Sequence, residues 1–393
     1  MFEIREKPEM VERAMLVSIY FDPSEAGEKQ AMLDELEDLV SNLGIGIAGK
    51  HLIKSRDMHA KFLCGTGKAQ EVKQLALDCR ADCVVFDNML SPSQQREWER
   101  LVDECVIDRE EVILDIFARR ARTREATLQV ELARMQYSLP RMARMWNHLD
   151  RQGGGSGGGK GGGGAARGEG EKQIEVDRRL ARARIEAIQR ELVLVTRQRA
   201  TQRKERERQA VATAAIVGYT NAGKSSLLSL VSGSEVMARD MLFATLDTTT
   251  RKIELPHGQP LLLTDTVGFI RNLPKELMDA FRATLEELES ADLLVHVADA
   301  SHPDLLQQIT SVETILEELE LQHMPRILLL NKWDLLDVPA RAELADAFPH
   351  AIPVSARTGD GLKRLLEVLE NMLLSTQQSQ LLIPFEEDGA VIQ

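Results

Sequence analysis

Apolar runs alternate with segments of helical spacing over the first 110 residues of the chain. The runs that predict buried strands are Ala14–Phe21, Cys83–Phe86 and Cys105–Ile107. Apolar residues recur at helical spacing over residues 25–43 and 69–79, and Ser91 followed by Pro92 marks the start of another helix. Because strands separated by helices form parallel sheets, residues 1–110 predict an N-terminal α/β subdomain.

Two matched heptad patterns follow. Apolar residues lie alternately four and three positions apart at Leu128, Leu132, Met135, Leu139, Met142 and Trp146, and again at Ala181, Ile185, Ile188, Leu192 and Val195. Each pattern places an apolar stripe along one helix. Two stripes joined by a loop predict a long antiparallel helical hairpin over residues 111–208, with Pro140 bending its first helix. We expect the stripes to bury each other; a surface for a partner is the alternative.

The loop of this hairpin is rich in glycine, and its second helix is rich in basic residues. Twelve of the 26 glycines fall in residues 153–170. Residues 178–208 hold 11 basic and 4 acidic side chains, a local charge of +7 in a chain of net charge −13. A flexible spacer beside a solvated helix face is one interpretation. The other is an RNA contact, made by the candidates Arg167, Lys172, Arg178, Arg179 and Arg182.

Residues 209–375 form a third region, which begins with a phosphate-binding pattern. The apolar run Ala214–Val217 leads into Gly218, Tyr219, Thr220, Asn221, Ala222, Gly223, Lys224, Ser225 and Ser226. Strand, glycine loop and helix in this order place inward-pointing amides at a helix N-terminus, where they bind phosphate. Lys224 is placed for the β and γ phosphates and Ser225 for Mg²⁺. A glycine turn that only joins strand to helix is the alternative, but further motifs follow in order.

Two later stretches match the segments that respond to a γ-phosphate. The first is Phe243, Ala244, Thr245, Leu246 and Asp247, followed by more threonines whose hydroxyls are candidates for closing over Mg²⁺. The second is Asp265, Thr266, Val267 and Gly268, which follow the apolar run Leu261–Leu263. In this D-x-x-G pattern Asp265 holds Mg²⁺ through water, and the Gly268 amide reaches the γ-phosphate.

The base is predicted by two further strand ends. Leu328–Leu330 leads to Asn331, Lys332 and Asp334, and Ile352–Val354 leads to Ser355, Ala356 and Arg357. The Asp334 carboxylate matches the N1–H and 2-amino group of guanine, whereas adenine has neither donor. An unpaired buried carboxylate costs about 2 kcal/mol or more, so the predicted ligands are GTP and GDP.

Charge, cysteines and hydropathy limit the remaining possibilities. A net charge of −13 argues against nucleic-acid binding over the whole surface. The four cysteines, Cys64, Cys79, Cys83 and Cys105, form no C-x-x-C pair and predict buried, reduced thiols in a cytoplasmic protein, which we expect to be monomeric. No apolar run approaches 18 residues, and no secretion signal is present. Residues 65–68 match half of a phosphate loop, which we interpret as an ordinary turn.

These motifs, together with the segments Arg167–Arg179 and Asp265–Pro274, resemble the HflX family of translational GTPases over residues 14–375. The resemblance implies a GTPase that binds the large ribosomal subunit and splits stalled or stressed ribosomes, with its glycine loop directed toward ribosomal RNA near the peptidyl-transferase centre. It also implies catalytic roles for Lys224, Thr245 and Gly268, with Thr245 on Mg²⁺ beside Ser225. The glycine loop is longer than usual in the family, and Glu169 stands where proline is common.

Two residues bear on hydrolysis. Phe269 lies where many small GTPases have a water-orienting glutamine, so we expect slow intrinsic turnover and stimulation by ribosomes. Asn221 resembles the asparagine of GTPases that use K⁺ in place of an arginine finger.

The predicted fold is α/β: an N-terminal α/β subdomain, the helical hairpin, and a phosphate-loop GTPase domain with a mostly parallel six-stranded sheet. Residues 376–393 form a short tail where some members of the family have a further domain. Two alternatives remain: a regulatory GTPase that acts on a protein or peripherally on a membrane surface, and an RNA-binding scaffold that uses GTP only for stability.

Overall fold

The computed structural model describes residues 11–144, 175–195, 211–233, 243, 248–271, 288 and 290–381. Their contacts divide the chain into two compact units, one made by the described residues up to 195 and one by those from 211 onwards. Within these ranges no helix has both the length and the apolarity that crossing a membrane requires.

The first unit begins as a sheet covered by helices. Its elements are β1 (Arg13–Tyr20), α1 (Ala26–Asn42), β2 (Gly46–Lys54), α2 (Thr66–Cys79), β3 (Cys83–Phe86), α3 (Pro92–Val102), β4 (Cys105–Asp108) and α4 (Arg109–Arg120). All strand pairs are parallel, in the order β2-β1-β3-β4. The predicted parallel sheet is therefore confirmed. Its core includes Trp98, which packs against Phe62 and Phe86 with ring centroids 5.1 and 4.8 Å away.

Two details of this unit differ from the sequence predictions. Residues 66–68 are the first turn of α2, with Gly65 as its N-cap, and are not an isolated turn. Cys64 and Cys83 are buried and Cys79 and Cys105 half-buried, and none of these four forms a disulfide. Burial raises the pKa of the Cys64 thiol to about 11, so this residue stays protonated and unreactive at neutral pH.

The hairpin consists of α5 (Arg124–Ser138) and α6 (residues 175–195). Leu128, Leu132 and Ile188 are buried between them, which confirms that the two stripes pack on each other. Arg124 pairs with Glu191 at 3.1 Å and Glu131 with Arg184 at 2.7 Å, so the two helices run antiparallel. A bend at Pro140 is not observed within a continuous helix. The α-helix ends at Ser138, and Leu139–Arg144 is a 3-10 turn, because proline cannot donate its backbone bond.

The second unit is a six-stranded sheet with helices on both faces. Its elements are β5 (Ala212–Gly218), α7 (Lys224–Ser232), β6 (Thr249–Glu254), β7 (Pro260–Asp265), β8 (Leu293–Asp299), α8 (Leu305–Glu318), β9 (Arg326–Asn331), α9 (Val338–Ala347), β10 (Ile352–Pro353) and α10 (Leu362–Leu381).

Strand order brings the predicted motifs to one edge of this sheet. The order is β10-β9-β8-β5-β7-β6, and only β6 is antiparallel to its neighbour. The mostly parallel six-stranded sheet is therefore confirmed. Because parallel strands end at the same edge, the loops after β5, β7, β8, β9 and β10 converge there.

Candidate functional site

Two glycines determine the shape of the loop after β5. Gly218 has a φ of 152°, and a Cβ there would lie 2.2 Å from the Val297 carbonyl oxygen. Gly223 has a φ of 91°, and a Cβ there would lie 2.2 Å from Nδ2 of Asn331. Both positions combine a backbone conformation that favours glycine with close contact to a neighbouring strand. The loop geometry therefore depends on these two residues.

Lys224 lies inside this loop and is 7% exposed. Its Nζ donates to the carbonyl oxygens of Gly218 at 3.1 Å and Tyr219 at 2.7 Å. Burial lowers the pKa of Lys224 to about 8, and the nearby Asp265 carboxylate partly opposes that shift. A buried ammonium that hydrogen-bonds to two neutral carbonyl groups is incompletely compensated, and the site therefore favours an added anion.

Ser225 and Asp265 meet at the start of α7. The Ser225 hydroxyl donates to Oδ2 of Asp265 at 2.6 Å. A hydroxyl and a carboxylate this close are the hard oxygen donors that Mg²⁺ prefers, so the residues present fit the predicted metal. Thr266, the next predicted residue, donates its hydroxyl to the Ile216 carbonyl at 2.7 Å and so fixes β7 against β5.

The segment after β7 runs along the glycine loop. Thr220 N–H donates to the Phe269 carbonyl at 2.8 Å, and Phe269 N–H donates to the Gly218 carbonyl at 3.0 Å. Gly268 packs so closely that a Cβ there would lie 2.8 Å from Lys224 Nζ. The Phe269 side chain is buried. Many small GTPases have a water-orienting glutamine at this position, and an apolar phenylalanine cannot take that role. The sequence did not predict that Arg271 N–H donates to the Tyr219 hydroxyl at 2.9 Å.

Asn331 joins the glycine loop to the loop after β10. Its Nδ2 donates to the Ala222 carbonyl at 2.8 Å, and its Oδ1 accepts from Ala356 N–H at 3.0 Å. The Ser355 hydroxyl donates to Oδ1 of Asp334 at 2.7 Å. Three predicted stretches that are distant in sequence therefore form one site. Arg357 stands at its margin, 81% exposed, with Nη1 3.9 Å from Oδ2 of Asp334.

Sequence reasoning missed two residues beside Lys332. The Lys332 ammonium lies 2.6 Å from Oδ2 of Asp299, and Ser301 donates to Oδ1 of the same carboxylate. An apolar strand that ends in Asp299, Ala300 and Ser301 was the signal in the sequence, because β8 ends at the same edge as the other motif strands.

Some predicted residues lie outside the described part of the chain: Ala244, Thr245, Leu246, Asp247, Arg167 and Lys172. Phe243 is described and is buried, with a φ of 52°. Ser226 is half-buried in the first turn of α7, and Val267 is buried. Their roles in binding stay predictions.

The three described basic candidates belong to α6. Arg179 and Arg182 are exposed and Arg178 is half-buried. Spacings of three and four residues place them along one side of the helix. Arg184, two residues further on, is instead paired with Glu131 of α5. These three arginines therefore share one side of α6.

Comparisons with known proteins identify GTPases. Three family models match in succession: "GTP-binding GTPase N-terminal" at residues 30–118, "GTP-binding GTPase Middle Region" at residues 120–206 and "50S ribosome-binding GTPase" at residues 213–332. GTPase HflX of Akkermansia muciniphila is 79% identical over 397 residues, which cover 100% of this chain and 91% of that protein. GTPase HflX of Escherichia coli is 42% identical over 96% of this chain and 86% of its own length.

Among solved structures, a GTP-binding protein from Sulfolobus solfataricus in complex with GDP is 22% identical. The alignment covers 94% of this chain and 99% of that one, with a TM-score of 0.45. At this level of similarity the structure carries no information about the site.

Proposed function

The chain belongs to the HflX family of GTPases, and from this premise we propose that it binds the large ribosomal subunit and separates stalled or stressed ribosomes into subunits. The chain is a GTPase, which converts GTP and water to GDP and phosphate. The match of residues 213–332 to the 50S ribosome-binding GTPase model carries the proposal of a ribosomal partner. Such a partner also places the protein in the cytoplasm.

Different residues around the glycine loop have different roles in hydrolysis. Lys224 exchanges two carbonyl partners for oxygens of the β and γ phosphates, and the amide of Gly268 meets the γ-phosphate. Ser225 and Thr245 would hold Mg²⁺ directly, and Asp265 would hold it through water. When bound, this ion neutralises charge that develops between the phosphates. The loop amides and Lys224 supply fixed positive charge in a site shielded from water.

Phe269 limits hydrolysis in the absence of a partner. Its buried, apolar side chain offers no group that orients the attacking water. Intrinsic turnover is therefore slow, and ribosome binding supplies the group that orients the attacking water. Asn221 is exposed and has a φ of 60°, which suits a residue at the loop surface. Asn221 would hold a K⁺ ion there, and that ion would supply the positive charge that an arginine finger supplies in other GTPases.

The hairpin carries the contact with ribosomal RNA. Arg178, Arg179 and Arg182 supply cationic groups for phosphates, and Arg167 and Lys172 extend that set. GTP orders the segments around Thr245 and Gly268, ribosome binding favours that state, and hydrolysis releases it. Exposed Val193 and Leu194 on α6 instead favour the rival in which the hairpin docks on a protein. Salt separates the two, because an RNA contact weakens steeply as salt rises and an apolar contact does not.

A splitting assay tests this function. Purified intact ribosomes are incubated with the protein and either GTP or a non-hydrolysable GTP analogue, and sucrose-gradient profiles are recorded. We expect free large and small subunits in both reactions, and recycling of the protein with GTP alone. Profiles that match those of ribosomes incubated without the protein contradict the proposal.

A further inference from the structure

Two side chains of the predicted guanine motif, Lys332 and Asp334, are held by opposite neighbours. Lys332 bonds through Nζ to Asp299, which ends β8, whereas Asp334 accepts from Ser355, which follows β10. The strand that carries both, β9, lies between β8 and β10 in the sheet. The lysine is therefore held toward β8 and the aspartate toward β10, and we expect a flat base to bind in the slot between them.

Asp299 is itself fixed in place. Its Oδ1 accepts from the backbone N–H of Ser301 at 3.0 Å and from the Ser301 hydroxyl at 2.6 Å, while Oδ2 faces Lys332. The residue is 7% exposed. The Ala300 N–H also donates to the Asn331 carbonyl at 2.9 Å, which joins the end of β8 to the start of the guanine motif. A carboxylate with both oxygens engaged in this way is a rigid anchor.

The lysine needs such an anchor. Lysine carries a flexible four-carbon stem that costs entropy to immobilise. Lys332 adopts a left-handed backbone with a φ of 59° and lies two residues before Asp334. Without Asp299, its ammonium is free to turn toward the Asp334 carboxylate and occupy the oxygens that guanine requires.

We propose that Asp299, fixed by Ser301, is a positioning residue for guanine specificity: it holds the Lys332 ammonium away from Asp334 and keeps the base slot open. The inference rests on the assignment of Asn331 to Asp334 as the guanine site. It goes beyond that assignment because it gives a selective role to a strand end outside the five nucleotide motifs.

The experiment compares binding of GDP with binding of inorganic tripolyphosphate, which has no base. For Asp299→Asn, which keeps shape and removes charge, we expect about tenfold weaker GDP binding, ~1.4 kcal/mol, and unchanged tripolyphosphate binding. Ser301→Ala weakens GDP binding in the same direction and to a smaller extent. Asp337→Asn is the matched control, because this nearby exposed aspartate caps α9 and asparagine also caps helices. It leaves both affinities unchanged.

The double variant Asp299→Asn with Lys332→Met isolates the mechanism. If Asp299 acts through Lys332, the double variant binds GDP no more weakly than Lys332→Met alone. Equal losses of GDP and tripolyphosphate affinity in Asp299→Asn indicate a structural role and overturn the inference. Unchanged GDP affinity overturns it as well. An Asp334→Ala variant distinguishes failure of the guanine-site assignment from failure of the role proposed for Asp299. If Asp334→Ala also binds GDP with normal affinity, the guanine-site assignment is wrong. If Asp334→Ala loses GDP affinity, only the role of Asp299 is wrong.

Discussion

Replacing Gly223 by alanine is the sharpest test of the glycine loop. The added Cβ would lie 2.2 Å from Nδ2 of Asn331, well inside the range of a steric clash. Asn331 responds by moving, and in doing so loses its bonds to the Ala222 carbonyl and the Ala356 N–H. The backbone at position 223 also has a φ of 91°, which strains any residue except glycine.

The magnitude follows from these contacts. A left-handed backbone costs an alanine about 1–2 kcal/mol. Each of the two lost hydrogen bonds contributes about 1 kcal/mol. The free loop relaxes away from its native geometry and must regain it to bind phosphate, so the cost enters the binding free energy. A total of about 3–4 kcal/mol corresponds to GDP binding weakened by about 100- to 1,000-fold.

Displacement of a fluorescent GDP analogue measures this affinity. Gly233→Ala is the control, because Gly233 also has a positive φ, 63°, but a Cβ there meets nothing within 4 Å. We expect the control to lose about 1 kcal/mol of stability and no GDP affinity. If the affinity of Gly223→Ala stays within about threefold of the parent, less than ~0.7 kcal/mol, the loop geometry described above does not govern binding.

Four further predictions concern charge. Because the pKa of Lys224 is about 8 without nucleotide, GTP binding takes up a proton above that pH and its affinity falls as pH rises; calorimetry in buffers of different ionisation enthalpy detects this uptake. By the same linkage, the free energy of unfolding of the nucleotide-free protein rises between about pH 8 and 10.5, because in this range Lys224 is protonated in the unfolded chain and neutral in the folded one. If replacing Lys224 by methionine leaves the pH dependence of unfolding unchanged in this range, the lowered pKa is refuted. Asp334→Asn shifts preference toward xanthine nucleotides, because an amide donates where the carboxylate accepted, and unchanged GTP affinity contradicts the base assignment. Replacing Arg178, Arg179 and Arg182 by glutamine weakens co-sedimentation with large subunits and spares GTP binding, whereas Lys363→Gln on the other unit, 92% exposed, changes neither.

Features with a periodic or steric signature were predictable from the sequence. The heptad stripes predicted the packing of Leu128, Leu132 and Ile188 because mutual burial removes both apolar faces from water. The glycine loop and the Asn331 to Asp334 motif were predictable because their chemistry allows few residue types at fixed spacing. The glycine loop and the Asn331 to Asp334 motif were identified without any knowledge of the strand order in the sheet.

Features that depend on tertiary neighbours were not predictable. Strand β2 (Gly46–Lys54) was missed because it lies at the edge of its sheet, and its glycines and lysines break the apolar run that marks a buried strand. The contact between Lys332 and Asp299 joins two different strands, so no local pattern reports it. The backbone pairing of Thr220 with Phe269 likewise depends on β5 and β7 lying side by side.

GTP turnover with and without purified large subunits tests most directly whether this GTPase acts on ribosomes. Turnover is measured at fixed enzyme and saturating GTP while the concentration of large subunits is raised. We predict a slow basal rate, because Phe269 cannot orient water, and a saturable rise as large subunits bind. A rate independent of large-subunit concentration, in a protein that also fails to pellet with them, contradicts action on ribosomes.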